Sequence, residues 1–200
     1  GGGAGGSGEG PEGEAAPGEA GRVRGAPGCH RLGVRQALVA FAKDALKTKS
    51  GHLYQCQVWA KFTGDADYDQ PFHCDFSNHT LTVPSEDGTK NSVTILCYFS
   101  DVSDAHGAMH YVRRSDSSAF AGPEESLNYS PDAQAQLQAQ LVRHERSSAA
   151  PAGTIIPYGI DVYHRGTNLT VPGGHRDAGM VCYKKAGDET NGCHAWQCHP

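Results

Sequence analysis

The stretch YQCQVWAKF, residues 54–62, alternates Tyr54, Cys56, Val58, Ala60 and Phe62 with Gln55, Gln57, Trp59 and Lys61. Successive side chains of a strand point to opposite faces, so this is the pattern of a half-buried β-strand with its apolar face inward. Residues 93–99, VTILCYF, are a near-continuous apolar and β-branched run, which marks a central strand. Shorter runs at 81–84, 108–112, 154–156, 160–163 and 179–183 read as further strands. Upstream, Val34, Ala37, Leu38, Phe41, Ala42, Ala45 and Leu46 recur at three and four residues, which predicts one amphipathic helix packed on the core. Ser130-Pro131-Asp132 predicts the start of a second helix, running to about Arg146: a Ser N-cap, Pro at the first helical position and an acid at the positive end. Short strands separated by turn residues, with few helices, predict a mainly β fold with flanking helices, an antiparallel sandwich or barrel.

The 200-residue length suits one domain. Residues 1–30 differ from the rest: twelve of the 26 glycines lie there, among Glu, Ala and Pro, with almost no large apolar residue. Such a segment cannot bury enough surface to offset its ordering entropy, and it is expected to be a disordered tail. The folded domain is expected over 31–186. Residues 187–200 form a Cys/His-containing tail in which Cys193, His194, Cys198 and His199 match no standard zinc spacing. Net charge is −5, and no basic cluster suits nucleic acid or an anionic membrane surface. No apolar run approaches the ~18 residues of a transmembrane helix, and no signal-peptide pattern opens the chain. The seven cysteines are odd in number and several sit in strand-like runs, so reduced thiols and a cytoplasmic location are expected.

The segment QPFHCDF, residues 70–76, contains His73-x-Asp75. Residues i and i+2 of a strand share a face, so this imidazole and carboxylate can meet one metal. A second imidazole from a distant strand would complete a two-His-one-carboxylate facial triad, which leaves open positions for a co-substrate and O2. His164 is the candidate, at the end of the strand expected over 160–163. A second His-x-Asp, His175-Arg176-Asp177, is followed only by His194 and His199 in the tail, and is set aside as the metal pair. Arg176, twelve residues after His164, offers a planar fork that matches a carboxylate in two places.

Taken together, four blocks resemble the phytanoyl-CoA dioxygenase family of Fe(II)/2-oxoglutarate oxygenases, in the family's order, over about Trp59 to Tyr183. They are QPFHCDF (70–76), VTILCYFSDVSDAHGAMHYVRRS (93–115), GTIIPYGIDVYH (153–164) and RGTNLTVPGGHR (165–176). The resemblance implies a double-stranded β-helix, a jelly-roll or cupin-like barrel with iron at one mouth, and makes 31–186 the oxygenase domain. It implies His73, Asp75 and His164 as ligands of Fe(II), with Arg176 on the distal carboxylate of 2-oxoglutarate. It also implies a small hydroxyl residue after the distal His to help that carboxylate; Thr167 is the candidate, with Thr170 behind it. The implied reaction consumes O2, converts 2-oxoglutarate to succinate and CO2, and hydroxylates a small organic substrate. Related halogenases replace the carboxylate ligand with a small residue, so Asp75 favours hydroxylation. Arg113-Arg114-Ser115 stands where the family has Pro-Gly-Ser.

Substrate contacts are expected from Asn78 and His79, which follow the His-x-Asp loop, and from His110 and Arg113, on or after a strand at the mouth. Two other functions fit the same residues. A metal-dependent hydrolase could use the His/Asp/His set, though it needs a general base that the motifs do not supply. A non-catalytic metal- or ligand-binding β-barrel could keep the set without the reaction.

Overall fold

The computed structural model describes residues 22–23, 31–64, 68–75, 92–121 and 130–185. The strand expected at 81–84, the substrate candidates Asn78 and His79, and the tail residues Cys193, His194, Cys198 and His199 lie outside them. Among the described residues, the strands are β1 (Arg22–Val23), β2 (Gly51–Phe62), β3 (Ser92–Tyr98), β4 (Met109–Tyr111), β5 (Arg146–Ser147), β6 (Ile155–Gly159), β7 (His164–Gly166) and β8 (His175–Lys185). The helices are α1 (Gln36–Ala45), α2 (Arg114–Ser117) and α3 (Pro131–Arg143).

The strands form a five-stranded sheet in the order β1-β2-β8-β3-β6 and a three-stranded sheet in the order β5-β4-β7. Every pairing is antiparallel. The run 93–99 becomes β3, central in the large sheet and buried at every position. Its alternate residues serve two cores. Val93, Ile95 and Cys97 point outward with Val181 and Tyr183, against Leu38, Ala42 and Leu46 of α1 and its C-cap. Leu96 and Tyr98 point inward with Ala178, against Val102, Ala108 and Met109. A third cluster joins Leu137 and Leu141 of α3 to Phe72, Cys74, Val112, Ile160 and Tyr163. The expected cap of α3 is present: the Ser130 hydroxyl accepts the Ala133 N–H at 3.3 Å, with Pro131 first in the helix.

Three expectations need correction. The polar face of β2 is not turned to solvent: Gln57 and Lys61 are buried, whereas Phe62 of the apolar face is 49% exposed. The interior of this barrel is a polar cavity, so the hydrophobic-in rule inverts along β2. The buried stripe of α1 is narrower than the periodicity suggests: Phe41 is exposed, and Val34, exposed too, lies before the helix begins. Residues 160–163 are a turn, not a strand: the Val162 N–H reaches the Gly159 carbonyl at 3.0 Å, and His164 begins β7 rather than ending a strand. The apolar Ile160 and Tyr163 look like strand residues because they pack on α3. Between them, the buried carboxylate of Asp161 is held by Arg114, Nε at 2.7 Å and Nη2 at 2.9 Å.

Candidate metal centre

His73 and His164 are joined by an isolated antiparallel bridge, each N–H donating to the other's carbonyl at 3.0 and 2.9 Å. Two main-chain bonds thus set the imidazoles side by side, their ring centroids 4.5 Å apart. Asp75 has left the extended conformation and its carboxylate turns toward them, with Oδ1 3.4 Å from His164 Nε2. One ligand atom from each of His73, Asp75 and His164 lies within 4.8 Å of the others, close enough for one ion. Both Nδ1 atoms meet backbone carbonyls, His73 that of Pro71 at 3.0 Å and His164 that of Val162 at 2.9 Å. A carbonyl only accepts, so Nδ1 carries the proton and Nε2 presents its lone pair, as in metal-ligating histidines. Thr94 donates its hydroxyl to Asp75 Oδ2 at 3.3 Å. Burial disfavours the imidazolium of His164, but the neighbouring Asp75 carboxylate wins and raises its pKa. Tyr158 stacks obliquely on His164 at 4.8 Å, and burial, with Asp75 beside it, pushes its phenol well above the ordinary value.

These residues line a cavity of about 310 Å³ between the two sheets. Gln55, Gln57, Trp59 and Lys61 of β2 enter it from the large sheet, with Arg176 and Met180 of β8. Arg176 sits directly across from Lys61 in the β2–β8 register. Its guanidinium donates to the Gly107 carbonyl, but its buried Nε has no hydrogen-bond partner. Burial lowers its pKa, although a guanidinium stays charged. An orphaned buried donor costs about 1–3 kcal/mol, and a carboxylate in the cavity would remove that cost. Position 107 requires glycine: its φ is +74°, and a Cβ there would lie 2.6 Å from the Thr167 carbonyl.

The other expected residues fall elsewhere. Thr167 is buried, but its hydroxyl donates to the Ala108 carbonyl at 2.8 Å and its side chain does not line the cavity. His110 follows Met109, which lines the cavity, and so faces the other way; its Nδ1 meets Glu145 and its Nε2 meets Asp104 at 3.0 Å. Arg113 is exposed at the start of α2. Thr170 is exposed and bonds to the Ala105 carbonyl. The second motif, His175 and Asp177, forms an open pair at 3.7 Å. No third ligand joins it among the described residues. Lys61, Gln57 and Tyr158 were not read as site residues. One signal was available for two of them: a strand face with two Gln, a Trp and a Lys but no acid suits a cavity wall better than a solvated face.

No protein-family profile and no curated protein matches the sequence. Solved structures do match the fold. They include the non-heme alpha-ketoglutarate-dependent epimerase SnoN from nogalamycin biosynthesis, at 18% identity and TM-score 0.57, over 78% of this chain and 56% of that one. HygX from Streptomyces hygroscopicus, with nickel and 2-oxoglutarate bound, matches at 17% identity and TM-score 0.58, over 81% and 66%. EctD from S. alaskensis in its apoform matches at 15% identity and TM-score 0.57, over 80% and 53%. The fold is a double-stranded β-helix. The chain spans between about half and two thirds of the length of these three proteins. In this double-stranded β-helix, the candidate ligands come from β7 and from the bridge that faces it, and the cations come from the large sheet.

Proposed function

We propose that this chain is a non-haem Fe(II)- and 2-oxoglutarate-dependent dioxygenase that hydroxylates a small organic substrate, of the phytanoyl-CoA dioxygenase type. The observation that carries the reading is the convergence, in one cavity, of a His73/Asp75/His164 ligand set and a buried Arg176 whose Nε has no partner. The donor set suits iron: two imidazoles that can present Nε2 and one carboxylate, a set that would hold Fe(II) and leave room for further ligands. HygX, of the same fold, carries nickel and 2-oxoglutarate in its crystal structure, which supports the pairing of metal and co-substrate here. Bound iron would supply the oxidative chemistry, with 2-oxoglutarate giving succinate and CO2.

The chain's own residues do the rest. His73, Asp75 and His164 hold the metal, and the Pro71 and Val162 carbonyls keep the imidazoles in the ligating tautomer. Arg176 takes the distal carboxylate and so orients the 2-oxo acid end toward the metal. The Leu96, Met109 and Met180 side chains supply the apolar part of the cavity lining. Asp75 fills the carboxylate position, which favours hydroxylation over halogenation. A hydrolase is disfavoured, because among the described residues Asp75 is the only carboxylate that lines the cavity, and it belongs to the ligand set.

The test is anaerobic addition of Fe(II) and 2-oxoglutarate to the purified protein, read as the visible charge-transfer band of the chelate. The expected result is a band in the wild type that is lost in Asp75→Ala and weakened in Arg176→Ala. A folded, iron-binding wild type without the band would overturn the 2-oxoglutarate reading.

A further inference from the structure

Asp161 carries a buried carboxylate, 5% exposed, that the ligand set does not use. It lies in the turn between β6 and β7, among the buried side chains of Ile160 and Tyr163. A charge in such a place is costly unless it is paired. Arg114, the first residue of α2, supplies the pair as a fork, donating from Nε to Oδ2 at 2.7 Å and from Nη2 to Oδ1 at 2.9 Å. About half of the arginine side chain stays in solvent. Position 159 must be small for the pair to fit: a Cβ on Gly159 would lie 2.6 Å from Asp161 Oδ1 and 3.0 Å from Arg114 Nη2. Arg113-Arg114-Ser115 is where this chain departs from the Pro-Gly-Ser of the family it resembles, so the pair belongs to this chain and not to that pattern.

The pair holds the turn that aims His164. The Val162 carbonyl accepts from His164 Nδ1 at 2.9 Å. The residues on either side of Val162 are both anchored to the segment 112–114. Arg114 grips the Asp161 carboxylate, and the Val112 N–H donates to the Tyr163 carbonyl at 2.9 Å. The peptide that fixes the imidazole is thus clamped from both sides. Ile160 and Tyr163 also pack in one cluster with Cys74, the residue between His73 and Asp75. The same turn therefore bears on both halves of the ligand set.

We infer that Arg114 and Asp161 are positioning residues of the metal centre: their ion pair sets the turn so that the Val162 carbonyl holds the His164 ring with Nε2 toward Asp75. This rests on the metal-binding part of the proposed function and is independent of 2-oxoglutarate. A pair that served folding alone could be exchanged for apolar side chains of similar shape. Such exchanges of buried ion pairs are often neutral for stability, whereas removal of one partner strands a buried charge.

Calorimetric titration with Ni(II), with thermal melting of the same samples, tests it. Arg114→Gln should lower Tm and weaken Ni(II) binding about 10- to 100-fold, as loss of a contact that orients a metal ligand does. Arg114→Lys keeps the charge without the fork and should recover part of the affinity. The double variant Arg114→Met/Asp161→Leu should regain the wild-type Tm while its Ni(II) affinity stays as low as that of Arg114→Gln. Wild-type affinity in the double variant, or in Arg114→Gln, would overturn the inference. NMR of the metal-free protein supplies a second measurement that needs neither metal nor the double variant. The His164 Nδ1–H resonance, sheltered by the Val162 carbonyl and assigned by its loss in His164→Gln, should persist in wild type and in Arg114→Lys and vanish in Arg114→Gln. An unchanged resonance in Arg114→Gln would also overturn the inference. If wild type binds no Ni(II) and the resonance still follows Arg114, the metal reading falls and the positioning of His164 stands. If the resonance ignores Arg114 as well, both fall.

Discussion

His73 and His164 use the same local device: each Nδ1 hydrogen goes to the carbonyl two residues earlier. That leaves Nε2 of both rings for a metal, and on His164 it leaves Nε2 beside Asp75. The result is a pH dependence whose sign depends on loading. Without metal, Asp75 raises the His164 pKa above its ordinary 6.5 against the effect of burial. A raised folded pKa stabilises the fold below the unfolded value, and that stability is lost as pH rises through the folded pKa. With metal bound, the proton competes with the ion, so stability grows as pH rises through the same window. Melting in EDTA should therefore fall across that window, and melting with Ni(II) should rise. Asp75→Asn should flatten the EDTA curve. Parallel curves with and without metal would show that the ion does not bind at His164.

Among the elements, α3 does more than cover the small sheet. Gln138 accepts the Phe72 N–H and donates to the Phe72 carbonyl, both at 2.8 Å, which pins the backbone one residue before His73 as a paired strand would. Gln138→Leu should weaken Ni(II) binding about 10- to 100-fold, the usual cost of losing an outer-shell contact. Ser130→Ala is the control. It should cost about 1 kcal/mol of stability through the lost cap and leave the metal affinity unchanged. Equal effects on metal binding would mean that α3 acts through stability alone. The sequence announces α3, because its start chemistry is local: Ser130, Pro131 and Asp132 need no tertiary partner to be recognised. It announces β3 for a similar reason, since a run buried on both faces has only one place in a sheet. The His-x-Asp spacing and the distal His were legible as types of residue. The inverted face of β2 was legible only through its lack of an acid, because alternation by itself does not say which face of a strand is inward. The turn at 160–163 was also hidden, since its apolar residues answer to α3 and its Asp161 to Arg114, both distant in sequence.

At the scale of the whole molecule, the cavity lies between two sheets that each hold half of the site. His164 belongs to the small sheet and is bridged to His73, while Lys61 and Arg176 belong to the large one. On the proposed reading, 2-oxoglutarate chelated at the metal and held at Arg176 would span the gap, so metal and co-substrate would stabilise the same interface and favour each other's binding. A ligand at 100 times its Kd adds about 2.7 kcal/mol of stability. For a domain of this size that is a rise of about 5–11 °C in Tm. Ni(II) and 2-oxoglutarate together should raise Tm by more than the sum of their separate shifts, because the chelate forms only when both are present. Ni(II) with succinate should give a smaller excess, since succinate lacks the 2-oxo group that chelates. In Arg176→Ala the Ni(II) shift should persist and the 2-oxoglutarate increment should shrink, because the large-sheet half of the grip is gone. Additive shifts in the wild type would mean that the two ligands do not share the cavity, and the link between the metal centre and the cation pair would fail.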